Sequence, residues 1–155
     1  MIKTSRFSYG ASAAVVTSTA LITGLSAANT TRTVILTALL IAALADNLTD
    51  ALSVHIFQES EQLDQTDAFT GTVTNFFTRL LLCISFAPAV AWFPVAHVAE
   101  GAILWGAVLL AILTYLVARE RKVSPALEVV KHLMTASAVI AMSMLIGHWI
   151  GTLLA

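Results

Sequence analysis

The sequence predicts an all-α membrane protein with five transmembrane helices, and three observations carry that prediction. Hydrophobic residues make up 58% of the 155 positions and charged residues only 11%, where soluble domains carry roughly 25% charged residues. Mean hydropathy is +0.87. The apolar residues gather into five runs close to the roughly 20 residues that a helix needs to cross a bilayer. The expected helices are 11–28, 34–61, 73–93, 96–118 and 132–154, the second extending past its apolar part.

Residues 1–155 read as a single multi-pass transmembrane domain without internal repeats or low-complexity tracts. The expected surroundings are the lipid bilayer. A net charge of −1 and an isoelectric point near 6.4 leave no clustered basic face, which sets nucleic-acid binding aside. The one cysteine, Cys83, lies in an apolar run, forms no intrachain disulfide and reads as packing.

The first run follows Lys3 and Arg6 and ends in Ser26-Ala27-Ala28, a pattern shared with signal peptides. We expect a retained helix. Ser8, Ser12, Thr19, Thr23, Ser26 and Thr30 fall on one face at about 100° per residue. Two readings of that face stay open: small hydroxyls that allow close helix approach and bond back to their own carbonyls, or the polar wall of a cavity.

The second run carries the chemistry. Asp46, Asn47 and Asp50 interrupt an apolar helix, and an ionised carboxylate in hydrocarbon costs several kcal/mol, so it needs a partner or a task. Measured from Asp46, Asp50 is rotated by about 40°, Glu61 by about 60° and Asn47 by about 100°, with Ser53 and Phe57 beside them. Asp46 and Asp50 are about 6 Å apart along the axis. Hard oxygen donors at that spacing can hold a divalent cation. The candidate metal residues are therefore Asp46, Asn47, Asp50 and Glu61, with Thr19, Thr23, Ser53, Glu59 and Arg79 as pathway residues or charge partners. His55 reads as an interface residue. Glu59, Glu61, Asp64 and Asp67 form an acidic cluster without a base, read either as a solvated helix end or as a vestibule that concentrates cations.

Arg79, expected at a depth similar to that of Asp46, offers a competing explanation: an Asp46–Arg79 structural ion pair. The third run also holds Thr72, Thr74, Asn75 and Thr78; Pro88 should kink it and Pro94 end it. His97 and Glu100 open the fourth. The fifth holds Gly147-His-Trp-Ile-Gly151, spacing suited to close helix packing, and Met134, Met142 and Met144 read as core filling.

Lys3 and Arg6, with Arg119, Arg121, Lys122 and Lys131, fall on one side of a five-helix chain, and only Arg32 occupies a loop on the other. The basic side is expected to be cytoplasmic, with the C-terminus outside or lumenal. Trp92, Trp105 and Trp149 lie toward the outer helix ends, as an aromatic belt would.

Ala20-Leu21-Ile22-Thr23-Gly24-Leu25-Ser26-Ala27-Ala28, Ala51-Leu52-Ser53 running into Gln58-Glu59-Ser60-Glu61, and Leu145-Ile146-Gly147-His148-Trp149-Ile150-Gly151 resemble the vacuolar iron transporter family. The likeness covers nearly the whole chain in helix number, order and orientation. It implies a homodimer with a pathway lined by the first and second helices, exporting Fe²⁺ or Mn²⁺ from the cytoplasm against protons. The metal ion is then substrate, and no tightly bound cofactor is implied. The chain departs from the family at three places. The family's first-helix aspartate falls near Ala13, its second-helix methionine at Asp50, and the stretch from Gln62 to Gly71 is too short for the cytoplasmic metal-binding insertion of many members. Oxygen-only donors favour harder ions such as Mn²⁺ or Mg²⁺.

The reading that follows is a dimeric divalent-cation transporter; the other is a structural or regulatory membrane subunit built on the Asp46–Arg79 pair. No enzyme activity is expected, because no nucleophile–base set or His-rich metal motif is recognisable.

Overall fold

The protein was analysed as a computed structural model that describes residues 5–60 and 65–153. All regular structure among these residues is helical: α1 Ser5–Ala27, α2 Arg32–Ser60, α3 Gln65–Ile84, α4 Ala87–Trp92, a 3-10 turn Val95–His97, α5 Val98–Glu120 and α6 Pro125–Leu153. Five segments are long and apolar enough to cross a membrane, Gly10–Ala27, Arg32–Phe57, Phe69–Trp92, Val95–Glu120 and Pro125–Leu153. Ile41, Leu48, Leu52, Met134 and Leu145 are each at least 59% exposed. Such a surface would be a liability in water but is satisfied by lipid.

Over the described residues each expected apolar run falls largely on helix, with three differences, the first being that α3 opens at Gln65, eight residues before the expected start, through the polar Gln65-Thr66-Asp67. Where one kinked helix was expected over 73–93, the chain forms α3 and α4. Pro88 has no N–H and its ring crowds the carbonyl four residues earlier, which is that of Ile84, the last residue of α3. Ser85 and Phe86 make the break; the Trp105 indole donates to Ser85 Oγ at 3.0 Å, and Phe86 is fully buried. The last helix was expected from residue 132 but starts at Pro125, a residue favoured in the first helical turn because it lacks a donor there anyway. Hydropathy alone misses a polar opening such as Glu128–Lys131.

Two chain reversals close on left-handed residues. Asn29 (φ 57°) and Lys122 (φ 55°) follow α1 and α5. In both, the next residue bonds back across six positions, Thr30 N to Leu25 O and Val123 N to Ala118 O, which satisfies carbonyls left over at the helix end. Arg32, the exception to the charge bias, has a structural use. Its guanidinium donates to the Ala91 and Phe93 carbonyls at 2.7 and 2.6 Å and so closes the end of α4.

α1 is the central helix. It packs on α5 and α6 across one side and on α3 across another, while α2 lies mainly against α3. The α1–α6 contact is very close: a Cβ on Gly147 would sit 1.9 Å from the Gly24 carbonyl oxygen. Ser143 Oγ donates across the same seam to the Ala20 carbonyl at 2.5 Å. The core joins Val15 and Ile22 of α1 to Ile35 and Leu39 of α2, Phe86, Val90 of α4, and Val98, Ala102 and Leu110 of α5.

Candidate functional site

Four polar residues meet where α1, α2 and α3 converge. On α3, Asn75 and Arg79 are one turn apart and share a face; on α2, Asn47 and Asp50 do the same. Arg79 is 6% exposed, Asn47 1% and Asn75 3%. Arg79 Nε donates to Asn47 Oδ1 at 2.9 Å, and its Nη1 lies 3.1 Å from Asp50 Oδ2 and donates to the Gly10 carbonyl at 3.2 Å. Asn75 Nδ2 donates to the same Asp50 oxygen at 3.0 Å, and Asn47 Nδ2 to the Ala43 carbonyl at 2.6 Å. Arg79 stands ten residues from the Phe69 end of its apolar segment, about 15 Å along the helix axis.

This is a neutralised cluster. Removing two charges from water costs several kcal/mol each, and attraction offsets that only with good geometry and hydrogen bonds on the remaining groups. Here the guanidinium reaches a carboxylate, an amide oxygen and a main-chain carbonyl. Gly10 makes the third contact possible, because a Cβ there would lie 2.0 Å from Asn75 Oδ1.

The ion pair differs from the one the sequence suggested. Arg79 pairs with Asp50, not with Asp46. Ala43, Asn47 and Ala51 form the buried row of α2, and helical geometry puts Asp50 about 60° from Asn47 but Asp46 about 100° away. Asp46 is consequently exposed. It makes no hydrogen bond or ion pair with a described residue, and it edges a crevice of about 10 Å³ bounded by Thr17, Ser18, Asn47, Arg79 and Cys83. That space holds about one water.

The predicted cation donors are thus placed differently from one another. Asn47 and Asp50 face Arg79, while Asp46 faces outward. Glu61 lies outside the described residues, as does the side chain of Glu59. No group of three or more His, Cys, Asp or Glu that could hold a metal occurs among the described residues. Ser53 is exposed and bonds back to the Thr49 carbonyl. Thr19 and Thr23 are buried and bond back to the Val15 and Thr19 carbonyls, and Thr19 packs against Gly106 of α5. Both readings of the α1 hydroxyl face stay open: Thr23 bonds back within its helix, while Thr19 also borders a cavity of about 50 Å³ between α1, α5 and α6, and Ser12 lines a larger one.

Two members of the cluster carried no assigned role in the sequence. Asn75 could have been found from its spacing to Arg79, since residues four apart on a helix meet the same neighbour. Gly10 contributes only its backbone and gives no sequence signal of that use. Comparison with known proteins finds no protein-family model, curated protein or solved structure that matches this chain.

Proposed function

We propose that this chain is a multi-pass membrane protein that carries a divalent cation of the Fe²⁺ or Mn²⁺ class out of the cytoplasm, with protons moving the other way. The observation that carries the reading is the state of the two α2 acids. Asp50 is neutralised by Arg79 within the bundle, while Asp46, one turn away in the same spanning segment, has no partner within its own described chain. A bare carboxylate at such a position is costly and marks an ion or proton path.

The mechanism uses these residues in sequence. The acidic stretch Glu59 to Asp67 on the cytoplasmic side concentrates cations. Asp50 is the first carboxylate they meet inside the span, where it exchanges Arg79 for the incoming cation while Asn47 Oδ1 and the Gly10 carbonyl continue to hold the guanidinium. Asp46, one turn deeper along α2, then takes the ion. Protonation of the two acids from the far side releases the ion and restores the Arg79–Asp50 pair when the proton leaves. In a homodimer paired through α1 and α2, the Asp46 of a second copy would double the negative charge and favour a cation further.

Mn²⁺ flux into proteoliposomes tests this. Asp46→Asn and Asp50→Asn should each lower flux at least about tenfold, the size of effect expected when a charged ligand is lost. Unchanged flux in both variants contradicts transport through these residues.

The Arg79 cluster also favours a second reading, a structural or regulatory membrane subunit in which the charges fix helix packing. Under that reading Mn²⁺ neither crosses the membrane nor stabilises the protein against heat.

A further inference from the structure

The crevice of about 10 Å³ beside Asp46 lies between α1, α2 and α3, next to the Arg79–Asp50 pair. Most of its polar wall is already satisfied. Ser18 Oγ donates to Cys83 Sγ at 3.4 Å, Asn47 Nδ2 is shared between the Ala43 carbonyl and Cys83 Sγ, and Asn47 Oδ1 accepts from Arg79 Nε. Two charged groups are less well served. The Asp46 carboxylate has no hydrogen-bond or ion-pair partner among the described residues. Arg79 commits Nε and Nη1 but leaves Nη2 without a described partner, on a residue only 6% exposed. The Thr17 hydroxyl, also without a described partner, completes the wall.

Size and charge together specify what fits. A space of about 10 Å³ holds one water and nothing larger. A cation inside the crevice would sit against the guanidinium, and an anion against the carboxylate, each with like-charge repulsion in a poorly screened site. A neutral molecule that accepts from Nη2 and donates to Asp46 meets both needs. Buried waters make about three hydrogen bonds, and Arg79, Asp46 and Thr17 supply that number.

We propose that the crevice is a one-water site in which the water accepts from Arg79 Nη2 and donates to the Asp46 carboxylate, so that Arg79 is the counter-ion of both α2 acids, directly for Asp50 and across the water for Asp46. A bridging water is nearly as favourable as a direct hydrogen bond. One consequence rests on the transport reading: while an ion occupies Asp50, the guanidinium is balanced by Asp46 across the water, and when the ion passes to the outer side of Asp46, the guanidinium returns to Asp50. The bridge itself does not depend on transport.

A double-mutant cycle on unfolding in detergent micelles, with Asp46→Asn and Arg79→Gln and no metal ion present, tests the bridge. The double change should differ from the product of the single changes by about fivefold in the unfolding equilibrium constant, within the range for residues of one network. Ala42→Val adds bulk to the α2 wall of the crevice. In that background the coupling should vanish, while the coupling between Asp50→Asn and Arg79→Gln persists. Thr17→Val keeps the side-chain shape, removes one hydrogen bond and should lower the coupling to about twofold, which answers the same question if Ala42→Val does not fold. A structure that resolves ordered solvent should show one water within hydrogen-bond distance of both Nη2 and Asp46. Absence of coupling in the unaltered background overturns the proposal, as does a dry crevice in such a structure. Coupling that survives both Ala42→Val and Thr17→Val also overturns it, by showing direct contact. Mn²⁺ flux is read separately, so the bridge and transport can fail independently.

Discussion

Arg79 holds together three helices through side chains that would each be costly alone. Its bonds to Asp50, Asn47 and the Gly10 carbonyl satisfy it at 6% exposure. Arg79→Met leaves Asp50 with Asn75 as its sole described partner and should destabilise the protein by about 3–5 kcal/mol, the range for breaking a buried pair from one side. Arg79→Met combined with Asp50→Leu removes both charges and should be clearly milder than the sum of the single changes. Unfolding in detergent micelles reads both, and additive losses would show that the two residues do not depend on each other. At this scale the sequence revealed which residues were expensive but not how they pair. Asp46 and Asp50 lie about 40° apart around α2, a difference that hydropathy cannot resolve, since whichever acid lies nearer the Asn47 row meets Arg79. The row itself becomes visible only when α3 is docked.

Among the elements, α1 and α6 approach most closely, and Gly147 is where their backbones meet. Gly147→Ala places a methyl group 1.9 Å from the Gly24 carbonyl oxygen, an atom of the backbone that cannot turn aside. α6 must move off α1, at a cost of about 1–3 kcal/mol for overpacking, seen as a lower unfolding temperature; an unshifted temperature would show that the seam is looser than described. The spacing Gly147 to Gly151 made this contact legible in advance. Helix limits were less so. Pro88 announced a bend, but the fate of the chain as two helices depends on whether Ser85 and Phe86 find other partners, which they do in Trp105 and the core. The openings of α3 and α6 carry polar residues, and a search for apolar windows passes over such helical turns.

For the whole molecule, the five segments long and apolar enough to cross a membrane follow directly from composition, and helices are the form such segments must take where hydrocarbon offers backbone donors no other partner. Function is less legible for a physical reason. The acids of α2 have meaning only relative to Arg79 and, in the proposed transport, to an ion and a second copy, and none of those relations is local in sequence. The proposed transport requires that Asp50 be shared between Arg79 and a divalent cation. Mn²⁺ titration of the detergent-solubilised protein tests it most directly. If the two compete, Arg79→Gln binds Mn²⁺ at least about tenfold more tightly than the wild type, as expected when a charge a few ångströms from the site is removed. Adding Asp50→Asn to that variant then abolishes the gain. An affinity that is the same with and without Arg79 contradicts the claim and leaves the cluster as a packing device.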